Sequence, residues 1–211
     1  MDPFRSLLDT PQLLALAAAL GWASGIRVYA AIFLVGAAGF LGWIDLPQGL
    51  HVLQHPGVLA ASGFMCFIEF FADKIPIVDS MWDLVHTFIR IPAGAALAAG
   101  ALGADGQAMT WVAAILGGTL AATSHAAKLT TRAAVNTSPE PFSNIAVSLF
   151  EDGFVVFMLW LSATHPALFA IALVITLVVA VLLMVVLVKF LRLVLRKLGE
   201  CFAGPGSPQG R

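Results

Sequence analysis

The chain has 211 residues, 60% hydrophobic and 11% charged, with a formal net charge of -1. A mean hydropathy of +0.94 excludes an ordinary soluble domain. The near-neutral charge excludes the basic footprint of a nucleic-acid binder.

At about 20 residues per span, the length suffices for about six crossings with short loops. The reading is an all-α membrane protein, with one transmembrane domain over 1–198 and a disordered cytoplasmic tail over 199–211. Cys66 lies in an apolar run and Cys201 in the tail, so neither suggests a disulfide framework. The start lacks a basic n-region and a small-residue cleavage site, and is read as mature chain.

Six apolar segments follow in order. The first runs from about Leu13 to Ile44, which at about 1.5 Å per residue is too long for about 30 Å of hydrocarbon. Ser24-Gly25-Ile26-Arg27 interrupts it, and a break is expected near Gly25 because glycine is a weak helix former. The next four run from Val58 to Ala72 and from about Leu84 to Leu102, Met109 to Ala127, and Ile145 to Ala163. The sixth, about Ala167 to Phe190, has no charge before Lys189.

Lysine and arginine suggest an orientation. With a cytoplasmic N-terminus and six crossings, the loops near 45–57, 103–108 and 164–166 face outside, and none carries Lys or Arg. Lys74, Lys128, Arg132, Lys189, Arg192, Arg196 and Lys197 then face the cytoplasm. Both termini are expected there. Leu191, Val194, Leu195 and Leu198, among the last four bases, suit an amphipathic helix meeting anionic headgroups. A faint repeat also appears. Asp73-Lys74 ends the second segment and Ala127-Lys128 the fourth, each before a proline-containing connection, as in a parallel repeat of two helical hairpins.

The informative charges are Arg27, Glu69, Asp73, Arg90, Glu151 and Asp152, inside or at the edges of apolar runs. A charge in hydrocarbon costs several kcal/mol, by order of magnitude, unless it is paired or faces a polar cavity. Glu69 and Asp73 are i,i+4 on one helix face. Asp83, His86 and Arg90 stack acid, imidazole and guanidinium along the third helix. The second connection carries Lys128, Arg132, Asn136, Glu140 and Asn144, and Glu151-Asp152 follow in the fifth segment. These residues, with Lys74, form the candidate substrate- or ion-binding set. The bases suit a small anion or lipid phosphate, and the acids a cation or a proton relay. The competing reading is internal pairing: Arg27 with a carboxylate, Arg90 with Glu151 or Asp152, and Lys74 with Glu69 or Asp73.

No cofactor is implied. Asp83-x-x-His86 has helical ligand spacing, but no second motif completes a metal site. Ser124-His125 are neighbours in sequence, which does not make a catalytic dyad. Gly36-Ala-Ala-Gly39 and the Ala/Gly run 93–103 suit close helix packing, within the chain or in a homo-oligomer.

Three blocks together carry a resemblance. They are Ser24-Gly25-Ile26-Arg27, then Glu69…Asp73-Lys74-Ile-Pro76…Asp79, then Ser124-His-Ala-Ala-Lys128…Arg132…Asn136-Thr-Ser-Pro139-Glu140-Pro141…Ser143-Asn144…Glu151-Asp152. Over about residues 12–198 the chain resembles an uncharacterised family of small bacterial membrane proteins, domain-of-unknown-function family 4126. The resemblance implies an integral inner-membrane protein and no particular activity.

The leading expectation from the residues is a passage protein: a small transporter, channel or lipid-headgroup translocator. The runner-up is an enzyme acting on a lipid-linked substrate, and the third reading is a structural or assembly subunit.

Overall fold

The computed structural model describes residues 10–75, 77–103, 106–137 and 142–202, with side chains to 197. Six α-helices occupy the six apolar segments: α1 Thr10–Phe40, α2 Pro56–Ala72, α3 Val78–Leu102, α4 Gln107–Val135, α5 Phe142–Thr164 and α6 Pro166–Phe202. A 3-10 helix, Gln48–Gln54, precedes α2. Pro56 opens α2, where a missing N–H costs nothing, and His55 Nδ1 accepts from Gly57 N at 3.1 Å.

The expected break in the first segment falls at Arg27, whose φ of -142° and ψ of 73° are not helical. It is a reversal rather than a tilt. Gly21 and Gly25 lie against Gly117 and Ala121, so the limb 10–26 runs parallel to α4. Gly117 also lies against Ala98, and His125 meets Thr87, so α3 runs antiparallel to both.

Gly94 of α3 touches Gly21, and Gly100 touches Gly49 of the 3-10 helix. Gly100 therefore lies about 9 Å from Gly94 toward the Thr10 end. A continuous α1 would carry Gly36 about 22 Å the other way. Yet Gly36 touches Leu53, only four residues beyond Gly49 and within about 14 Å of chain. The limb 28–40 must fold back beside the limb 10–26, with Arg27 at the tip.

This hairpin fixes the other elements. Leu59 and Phe33 lie beside Gly36 and Gly63, so α2 runs from the base of the hairpin to its tip. Then α3 returns to the base, α4 runs to the tip and α5 returns. After a one-residue link α6 runs back toward the tip. The close of α2 at Asp73 and the close of α4 at Asn136 therefore share the tip end. Thr10, the turn after Phe40, Gly103, Gly106 and the link at 164–165 share the base end. The first segment thus folds back on itself and puts Thr10 at the end of the bundle opposite the close of α6.

Among the described residues four helices are long and apolar enough to cross a membrane, α1 counted whole despite its break at Arg27, or five if the 3-10 helix and α2, bent by 69°, count as one span. The polar positions of α4 that depress its hydropathy include Ser124, His125, Lys128 and Arg132, all buried. Large apolar side chains, among them Phe88, Trp111, Phe157 and Leu182, point outward. An apolar solvent accounts for this inversion, and the chain is an all-α membrane protein.

The core sits around the first limb, where Leu16, Leu20, Trp22 and Ala23 are buried. The two members of each expected hairpin repeat, α2–α3 and α4–α5, barely touch each other. The tightest neighbours are α3 and α4. A Cβ on Gly117 would stand 2.6 Å from Gly94 O, so only glycine permits this approach.

Candidate functional site: a buried ion network at the hairpin tip

The reversal at Arg27 frees carbonyl groups that a continuous helix would satisfy. Residues of α4 take them up. Ser124 Oγ donates to Trp22 O at 2.7 Å, Lys128 Nζ donates to Ile26 O at 3.2 Å, and His125 Nδ1 lies 3.2 Å from Gly25 O. Positions 124, 125 and 128 share a helix face, so one face of α4 caps the end of the first limb. A cation at a helix C-terminus is also favoured by the dipole.

Around this tip ten charged side chains form one connected network. The bases are Arg27, Lys74, Arg90, Lys128 and Arg132; the acids are Glu69, Asp73, Asp83, Glu151 and Asp152. Arg27 pairs with Asp73 and donates to Ser148 Oγ at 2.9 Å. Its Nε lies 2.9 Å from Asp152 Oδ1. Lys128 Nζ is 2.5 Å from Asp73 Oδ2 and 3.2 Å from Asp83 Oδ1. Arg132 is 2.8 Å from Glu151 Oε2, donates to Asp73 O at 3.0 Å, and donates to Asn144 Oδ1. Most of these residues are buried; Lys74 and Asp152 form the partly exposed rim, 3.5 Å apart.

Several pairings differ from those the spacing suggested. Arg90 does not reach Glu151 or Asp152. It is held at 2.6 Å by both Glu69 and Asp83, and Lys128 bridges the two halves of the network. Lys74 pairs with Asp152 rather than with Glu69 or Asp73, and its ammonium lies 3.2 Å from the centre of the Phe70 ring. His86 leaves the expected acid–imidazole–guanidinium stack. Its Nδ1 donates to Trp82 O at 2.7 Å, so its Nε2 accepts from Tyr29 OH at 3.1 Å. Asn136 lies outside the ion network and donates to both oxygens of buried Asp79 at 3.1 Å, tying α4 to the start of α3. Glu140 lies outside the described residues.

The connection after α2 shows the local electrostatics. Burial pushes the Asp73 carboxyl up, but Lys128 and Arg27 outweigh it and hold it below the usual carboxylate range. Burial holds Lys74 below the usual lysine range, with Arg27 adding to the effect and Asp152 opposing it. The same connection ends at Ile77, whose φ of 76° is strained for a β-branched residue.

Sequence reading left Ser124, His125 and Ser148 out of the site. The i, i+1, i+4 spacing of Ser124, His125 and Lys128 was the available signal. Its meaning depended on the broken limb lying opposite.

One oxygen each of Glu69, Asp73 and Asp83 accepts no hydrogen bond from the described residues. Among the described residues no cluster of His, Cys, Asp and Glu is arranged to hold a metal ion. A cavity of about 430 Å³ opens beside the network between the first limb, α4, α5 and α6. Trp22, Phe150, Phe154 and Val179 make it mainly apolar, while Lys128 and Glu151 reach it from the network.

A family model described as Domain of unknown function (DUF4126) matches residues 14–186. The chain belongs to this family. No curated protein and no solved structure matches it. Within this DUF4126 chain the matched span holds the whole ion network and every cavity-lining residue. The bases near the end of α6 lie beyond it.

Proposed function

We propose that the chain is a membrane passage protein, carrying a small charged group, free or as part of a lipid, across the apolar layer at the hairpin tip. The observation that carries this reading is the ten-residue ion network that reaches a side cavity through Lys128 and Glu151. An ion entering hydrocarbon must find partners there. A shared network supplies them by exchange, one carboxylate or base releasing as the guest arrives. The free oxygens of Glu69, Asp73 and Asp83 support the reading, because buried acceptors without donors cost about 1–3 kcal/mol each in a purely structural lock.

The positive-inside pattern supports a cytoplasmic tip end in a bacterial inner membrane. Lys74, Lys128, Arg132, Lys189, Arg192, Arg196 and Lys197 lie on or toward that end, and the base-end connections carry no Lys or Arg. Thr10 then lies on the outer side and the close of α6 on the inner side.

The test uses purified protein in liposomes holding a pH- or ion-sensitive dye, or phospholipids with a reducible fluorescent headgroup. Passage predicts flux, or reduction of inner-leaflet lipid, that Glu151→Gln alters. A structural subunit is the second reading, favoured by the pairing of all ten ions. It predicts vesicles as tight as protein-free ones, and that result would overturn passage.

A further inference from the structure

Three bases converge on one carboxylate at the cavity wall. Glu151 Oε2 lies 2.8 Å from Arg132, 3.6 Å from Arg27 and 3.8 Å from Lys128. The bases are almost fully buried, while the Glu151 side chain keeps 11% of its exposure. Glu151 thus shares these three bases with Asp73 and lies on the side open to the cavity. Guanidinium groups match phosphate oxygens as well as carboxylate oxygens.

Beyond Glu151 the cavity is apolar, with Phe150, Phe154, Ile175 and Leu183 along its walls. Its volume of about 430 Å³ falls in the range of ligand sites, roughly 300–1,000 Å³. One wall is α6, a helix whose most apolar stretch is only 6% buried, so the cavity lies one helix away from lipid. The parts of an amphiphile site are therefore in order: an apolar slot beside α6, then an anion position beside three buried bases.

We infer that this cavity binds a lipid phosphate monoester, its chain among the apolar walls and its phosphate taking the place of the Glu151 carboxylate between Arg132, Lys128 and Arg27. Glu151 swings aside as the phosphate arrives, and the phosphate then shares the bases with Asp73. The assignment of this lipid as the transported substrate rests on the passage reading; its binding does not.

The experiment is native mass spectrometry of the full chain released from detergent. Lysophosphatidic acid is titrated against lysophosphatidylcholine and a fatty acid of equal chain length. One lysophosphatidic acid should be retained about tenfold more tightly than either control, a difference of about 1.4 kcal/mol. Glu151→Gln, which removes the competing charge, should tighten retention. Ala180→Trp, which fills the slot without touching the network, should abolish it, with Thr176→Trp as the second blocker if the first fails to fold. Equal retention of lysophosphatidylcholine would overturn the inference, as would preference for the fatty acid or indifference to both blockers. Retention without flux in liposomes leaves the site standing and removes only the passage reading. Flux without retention does the reverse.

Discussion

Lys128 and Asp73 meet at 2.5 Å across the tip of a helical hairpin to which neither belongs. Lys128 comes from α4 and Asp73 from the end of α2. Arg27, the residue at the reversal, pairs with the same Asp73 oxygen. The carboxylate thus joins three separate elements and holds the turned-back limb in place. Removing one member leaves a buried charge without its partner, which is costlier than removing both.

Lys128→Met and Asp73→Asn should each lower stability by about 3–5 kcal/mol, and the double variant by clearly less than their sum. Chemical unfolding of the four proteins in one detergent measures the coupling. Strict additivity would show that the contact does not hold the tip.

Arg27→Lys should be nearly as damaging as Arg27→Ala. The guanidinium donates to Asp73 and to Ser148 from separate nitrogens, and an ammonium cannot match that fork. Thermal unfolding of both variants decides it. A lysine variant as stable as the parent would mean that charge alone matters there.

Gly117→Val tests the packing that seats the hairpin. A Cβ there would come within 2.4 Å of Ala98 Cβ and 2.6 Å of Gly94 O. The expected loss is roughly 1–3 kcal/mol as α3 and α4 are forced apart. The same change at Gly153, where a Cβ meets nothing within 4 Å, should be far milder. Equal effects would contradict the close approach.

The helical segments were legible in the sequence because each is a long apolar run, and so was the break, because glycine and arginine interrupt the first one. What a break at Arg27 does was not legible. A kinked span and a full reversal share one hydropathy profile, and only the contacts of Gly36 and Gly49 with distant partners distinguish them. The charged set was legible because ions in apolar runs are costly. Its pairing was not, since Arg90 reaches Asp83 seven residues back and Glu69 on another helix. Helix spacing alone points Arg90 toward His86. The Lys/Arg asymmetry was legible too, but one reversed segment carries Thr10 to the opposite end of the bundle without disturbing any later element.

Side-specific labelling tests the central claim, the reversal at Arg27, most directly. In a cysteine-free background, single cysteines replace Thr10, Gly42 and Thr137 in sealed vesicles of known orientation, and an impermeant thiol reagent is added. The hairpin puts Thr10 and Gly42 on one side, both labelled together, and Thr137 on the other. Labelling of Thr10 with Thr137, and of Gly42 from the opposite side, would mean that the first segment crosses the membrane and would contradict the account.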